Sequence, residues 1–308
     1  MKKLSKCILV IEVTFLVFNT ELGLVKDCLA TPEIEDLQEG WAVLLEMNDF
    51  PGSSSDLATN FSDTKKWNTT LNALGWRSDH IYILNGLLNR SNCENSVNFL
   101  IQSADENDIV LFYIFSHGTW LEYEVEMLDW FPALLNSIPT QNKLAVVSAC
   151  ESEKFINPLI NGNNSYIGIA SSKSDELSWA GLEEEGLPII GEVMNHYFTA
   201  AFLDEKADVN NNGAISVEEA FEYSYPQVRD YYYDVIFPAS PIYAMDFNYT
   251  APHPVIDDFY TGQLSLSLEN TTPESNDPEI WGIYLLVGLV GVLFLTITIV
   301  LVRKLRRK

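Results

Sequence analysis

Residues Leu144–Ser152 read LAVVSACES, and the place of Cys150 in that stretch decides how the rest of the chain is read. Leu144 to Val147 form a short apolar run, rich in valine and without polar alternation. Such a run suits a strand buried on both faces, as in a parallel sheet covered by helices. Ser148 and Ala149 then shrink the side chains, and Cys150 stands where the strand should end. In open α/β sheets, ligands bind beyond the carboxyl ends of strands, where turn amides can stabilise an anion beside a thiol. A lone cysteine is more commonly a small buried hydrophobe, so the stretch needs a partner before Cys150 reads as a nucleophile.

Asp108–Gly118, DIVLFYIFSHG, supplies one. Its apolar run Ile109–Phe115 is a second buried-strand pattern, and its polar tip carries His117, the imidazole that a thiol nucleophile requires. Gly118 can offer an open backbone N–H to a substrate carbonyl, half of an oxyanion hole. Strand–His–Gly followed by strand–Ala–Cys resembles the caspase-like cysteine peptidases, the group of legumains, metacaspases and gingipains. SACES in particular is similar to the Ala-Cys-Glu-Ser of legumains and of the glycosylphosphatidylinositol transamidase catalytic subunit. The resemblance spans roughly Trp41 to Asp258 and rests on two short motifs in the right order.

The remaining pattern agrees with that order. Trp41–Glu46 and Ile81–Leu84 read as strands, as does Tyr166–Ala170. Asp56–Leu74, Asn92–Ser103, Trp130–Ile138 and Ile190–Leu203 carry apolar residues at helical spacing. Strands alternating with helices indicate parallel βαβ units and an α/β three-layer sandwich with a mainly parallel sheet. The peptidase domain is expected over residues 38–205, with an extension of the same domain over 206–260.

Asp208–Glu219, DVNNNGAISVEE, fits a twelve-residue calcium loop. Asp208, Asn210 and Asn212 fall at its positions 1, 3 and 5, Gly213 at 6, the Ala214 carbonyl at 7, Ser216 at 9 and Glu219 at 12. Only Asp208 and Glu219 among these are charged. A single loop cannot build the usual pair of hands, so calcium is expected in a structural or regulatory role.

The ends have their own character. Met1–Ala30 begins with Lys2, Lys3 and Lys6, continues apolar from Cys7 to Phe18 and resembles a secretory signal peptide; an uncleaved anchor is the competing reading. Thr261–Glu279 is rich in Ser, Thr, Asn and Pro and reads as a stalk over 261–280. Trp281–Val302 follows, 22 residues without a charge, about 33 Å as a helix, enough to span a bilayer. The basic tail Arg303–Lys308 places the C-terminus in the cytoplasm and the body outside a cell membrane. Asn-x-Ser/Thr sequons at Asn60, Asn68, Asn89, Asn163, Asn248 and Asn270 agree with export.

Charge narrows the function classes. The chain has 18 basic and 43 acidic residues, net −25, and residues 31–302 alone hold 9 against 40. Such a body repels nucleic acid. Of the four cysteines, Cys7 and Cys28 fall in the leader, which leaves Cys93 and Cys150 as free thiols, or Cys93 paired with a retained Cys28, and no disulfide framework.

The expected function is a membrane-anchored cysteine endopeptidase acting on a protein or peptide substrate. The resemblance implies that Cys150 attacks the scissile carbonyl, that His117 moves the proton, and that the amides of Gly118 and Cys150 hold the oxyanion. It also implies that Asn48 or Asp49 orients His117, and that Asp175, with Ser148, meets the side chain before the scissile bond, favouring Arg, Lys or Asn. Glu153 departs from the pattern, because relatives often carry glycine there. A carboxylate close to the thiol would raise its pKa. A non-catalytic, calcium-stabilised surface module and a transpeptidase are the alternative readings.

Overall fold

The computed structural model describes residues 37–52, 56–157 and 165–268. The expected signal peptide, most of the expected stalk, the apolar span 281–302, the basic tail and the sequons at Asn163 and Asn270 lie outside the described residues. No helix among the described residues is long and apolar enough to cross a membrane.

A six-stranded sheet organises the fold. Its strands are β1 (Gly40–Glu46), β2 (Ile81–Asn85), β3 (Ile109–Phe115), β4 (Asn142–Ser148), β5 (Ile167–Ala170) and β8 (Val255–Asp258), in the spatial order β2-β1-β3-β4-β5-β8. All neighbouring pairs are parallel except β5 with β8, which is antiparallel. Every residue of β3 is buried, and so is all of β4 after Asn142. Helices on both faces explain those unbroken apolar runs. One face presents Val43, Leu45, Val110, Phe112, Ile114, Ala145 and Val147 to a core shared with α2 (Arg90–Ser103), α3 (Gly118–Tyr123) and α4 (Met127–Ser137). On the other face Trp67, from α1 (Ser62–Ala73), packs against Tyr113 and against Phe198 of α6 (Val193–Ala201). Helix α7 (Val217–Tyr231) follows the loop 208–216 and packs beside α6.

Three departures from the sequence reading have physical causes. Helix α1 starts at Ser62 rather than Asp56, because Asn60 and Phe61 adopt left-handed φ of 54° and 51° and cannot extend a helix backwards. Asp56 instead accepts a hydrogen bond from the Phe50 amide at 3.0 Å, tying down the loop after β1. The edge strand β8 has no apolar run; its sequence VIDD ends on the exposed Asp258, which suits an edge. The body also runs further than 260. Leu264 and Leu266 are buried, Val217 N donates to Leu264 O at 2.8 Å, and Trp76 Nε1 donates to Leu266 O at 2.7 Å. The first residues of the expected stalk are therefore part of the packed body.

Candidate active site

Parallel strands deliver the two candidate catalytic residues to the same end of the sheet. Phe115 of β3 pairs in register with Ser148 of β4, so His117 and Cys150 each leave the sheet two residues later, side by side. Both line one cavity of about 230 Å³, together with Leu57, Ser178, Trp179, Glu185, Glu192 and Tyr243. His117 is the N-cap residue of α3, and its ring lies 4.7 Å from that of Phe50. Gly118 is obligatory there: a Cβ would sit 2.1 Å from the Cys150 carbonyl oxygen. Only a residue without a side chain lets the two strand ends approach so closely.

Cys150 is half-buried, and the segment after β5 brackets it. Ser178 N donates to Cys150 Sγ at 3.4 Å, and Sγ donates to Ser178 O at 3.5 Å. Burial pushes the thiol above its ordinary pKa, helped by the negative charge of Glu151 and Glu192 and opposed by the Ser178 amide. At neutral pH the resting group is thus a thiol, and reaction requires a base to take its proton. The other described cysteine, Cys93, is fully buried in α2 and pushed up to about 12 by burial.

Glu153 does not face the thiol. Its Oε2 accepts from Ser174 N at 2.8 Å, at the start of the short helix α5 (Glu153–Ile156). The carboxylate nearest in sequence that acts on Cys150 is Glu151, whose charge Lys154 offsets at 2.8 Å.

The expected substrate acid is displaced as well. Asp175 lines a separate depression with Glu176, Leu177 and Asp246, because the chain turns over Lys173–Glu176 before it reaches the thiol at Ser178. The carboxylates that line the Cys150 cavity are Glu192 and Glu185, neither of which the sequence reading singled out. A two-stranded hairpin, β6 (Ala180–Gly181) with β7 (Gly191–Glu192), folds Glu192 back under Ser178. Glu192 accepts from Ser178 Oγ at 3.0 Å and from Asn195 N at 2.7 Å, where it caps α6. Ser148 is buried with its Oγ 3.5 Å from Glu192 Oε2, so it backs the acid and does not line the cavity. Burial, with the charge of Asp63, lifts Glu192 to about 7. Glu46, at the end of β1 and also beside Asp63, is lifted to about 7 for the same reasons. Glu185 is half-buried and accepts from Tyr243 Oη at 2.5 Å.

Asn48 is buried and donates to Thr59 Oγ1 at 2.9 Å, Asp49 is exposed, and the next residue, Phe50, contacts the His117 ring.

The loop 208–219 curls its side-chain oxygens onto its own amides. Asp208 accepts from Asn212 N and Gly213 N, Asn210 from Asn212 N, and Asn212 from Ala214 N, at 2.9–3.1 Å. Gly213 has φ 89°, as its position requires. Glu219, nearly buried, accepts from Asn210 N and Ser216 N, both at 3.1 Å. Ser216 caps α7 through the Glu219 amide. The strand contact that a second hand would normally make is made by Ser265, which bridges Ser216. Among the described residues no group of three or more His, Cys, Asp or Glu is placed to hold a metal; this loop offers two carboxylates and otherwise neutral oxygens. That hard, all-oxygen set fits calcium and not a thiophilic metal.

The crystal structure of Caspase-1 from Spodoptera frugiperda is similar to this fold, with a TM-score of 0.51 over 76% of this chain and 92% of that one at 12% identity. That likeness concerns the fold alone. A search of curated proteins returned no match. The profile of the peptidase C13 family matches residues 58–234, a range that takes in His117, Cys150, Ser178 and Glu192. Such membership supports cysteine peptidase or transamidase-like chemistry. A caspase-like sheet that brings a histidine and a cysteine into one cleft, together with that match, establishes that the chain belongs to the peptidase C13 family, within the caspase-like cysteine peptidases.

Proposed function

We propose that this protein is a membrane-anchored extracytoplasmic cysteine endopeptidase that cleaves after Arg, Lys or Asn. One observation carries the reading: Cys150 and His117 open into a single cavity walled by Glu192 and Glu185. Cys150 Sγ adds to the scissile carbonyl as its proton passes to His117. The imidazolium then protonates the leaving amine, and the C–N bond breaks to leave a thioester. Water attacks the thioester with His117 as base, releasing the acid and restoring the thiol. Gly118 and Cys150 are the proposed oxyanion amides. Glu192, in place of Asp175, is the proposed partner of the side chain before the bond. Peptides varied at that residue test this: those with Arg, Lys or Asn are expected to turn over, and preference for Asp would contradict it.

The anchoring rests on the lysine-led apolar N-terminus, the uncharged run 281–302 and the basic tail after it. Exposure of the sequon residues Asn60, Asn89 and Asn248 is compatible with glycosylation in an exported body. Protease added to intact cells is expected to remove the body and leave a small membrane-bound stub. A body protected until lysis would invert the orientation.

Calcium is the proposed ligand of the loop 208–219, through Asp208, Asn210, Asn212, the Ala214 carbonyl, Ser216 and Glu219. Helix α7 links that loop to the cleft. Glu219 lies in its first turn, while at its far end Tyr231 Oη accepts from Ile189 N at 3.2 Å and Tyr232 Oη accepts from Trp179 N at 3.1 Å. The chain changes to a π-helical turn over Tyr232–Ile236, at the point where these two adjacent tyrosines meet the cleft wall. Calcium at a hundred times its Kd contributes about 2.7 kcal/mol, equivalent to roughly 5–10 °C in Tm for a body of this size. Melting with calcium and with chelator measures it, and Glu219→Gln is expected to remove most of the difference. Equal Tm in both solutions would reduce the loop to a turn.

A further inference from the structure

His253 lies outside the residues that match the family and outside the cavity, yet through Glu176 it is tied to the turn that follows Cys150. It sits between Pro252 and Pro254, just before β8. The proline rings restrict the backbone at and around His253, and pairing of β8 with β5 anchors the segment to the sheet. From that fixed position both its donors meet one carboxylate: His253 N donates to Glu176 Oε2 at 2.8 Å, and Nδ1 lies 2.6 Å from Glu176 Oε1. A carboxylate only accepts, so Nδ1 carries the proton.

Glu176 in turn holds the nucleophile's surroundings. Its carbonyl accepts from Glu151 N at 2.8 Å, the amide directly after Cys150. Glu151 is a non-glycine residue with φ 55°, a conformation that persists only where neighbours enforce it. Two residues beyond Glu176, Ser178 meets Cys150 Sγ through both its amide and its carbonyl. The strap His253–Glu176 therefore sets the segment that contacts Cys150 at the thiol and at the turn behind it.

We propose that His253 is a positioning residue for Cys150, acting through Glu176; this rests on Cys150 being the nucleophile. Attack on a carbonyl tolerates little misplacement, and an error of about 1 Å costs on the order of a hundredfold. In the full-length protein, on a peptide that the wild type cleaves, His253→Ala is expected to lower kcat tenfold to a hundredfold with KM within about threefold. Asparagine can place Nδ2 near the position of Nδ1, so His253→Asn should restore kcat to within a few-fold. Glu176→Gln, which cannot accept both donors equally, should fall like His253→Ala, and the double variant no further. Unchanged kcat in His253→Ala overturns the proposal, as do equal losses in His253→Ala and His253→Asn, or additive losses in the double variant. Should His253→Ala not fold, Glu176→Gln decides alone, and full kcat in it is a refutation. A Cys150→Ala protein that still turns over would instead sink the nucleophile assignment, whatever His253 does.

Discussion

Cys150→Ala is expected to lose peptide cleavage by roughly five orders of magnitude or more, since Cys150 carries the only thiol that lines the cavity among the described residues. His117→Ala should fall nearly as far, and the double variant no further than either alone, because nucleophile and base act as one unit. The thiol's chemistry gives a second readout. Cys150 is half-buried and bonded to the Ser178 amide, whereas Cys93 is sealed in the core and held at about 12. Iodoacetamide on the folded protein should therefore label Cys150 well ahead of Cys93, as peptide mass spectrometry would report. Activity equal to wild type in Cys150→Ala would refute the mechanism. No cleavage of any peptide by the wild type would make the non-catalytic surface module the better reading.

The frame of the site was legible because buried parallel strands write themselves plainly. Ile109–Phe115 and Leu144–Val147 are continuous apolar runs since both their faces are covered, and each ends in a polar tip at the edge where ligands bind. Strand register does the rest, placing His117 next to Cys150 although the two are far apart in the chain. What could not be read is what loops decide. Asp175 stands only three residues before Ser178, but the turn over Lys173–Glu176 carries it into a different depression. Glu192 reaches the cavity through a hairpin whose strands are two residues each, too short for a sequence signature, and its position just before α6 reads as no more than an N-cap. The polar strand β8 was likewise invisible to a search for apolar periodicity. One local signal lies in the sequence itself: a histidine between two prolines, Pro252-His253-Pro254, marks a residue with a restricted backbone.

Glu192→Gln is expected to cut kcat/KM for peptides with Arg or Lys before the scissile bond by roughly a hundredfold to a thousandfold, as loss of one member of a buried charge pair does. Peptides with an apolar residue there should change little, so the loss is one of discrimination and not of chemistry. The pH dependence has a definite sign. In the free protein Glu192 is lifted to about 7, so below neutrality it is a neutral carboxyl with little attraction for a cation. Cleavage after Arg or Lys should therefore strengthen as pH rises through about 7, and binding of the basic side chain should release a proton. The Cys150 thiol, also raised by burial, gives a rise in the same direction for every substrate. The ratio of basic to apolar peptides cancels that shared part, and Glu192→Gln should leave the ratio flat with pH. Misfolding would not explain the loss. A carboxyl raised from 4.5 to about 7 contributes stability that is full below about 4.5 and gone once pH has climbed past about 7. At pH 8 the glutamine variant should accordingly melt no lower than wild type. A Glu192→Gln protein that keeps both its preference for basic peptides and the pH dependence of that preference would move the specificity to Glu185, the other carboxylate on the cavity wall.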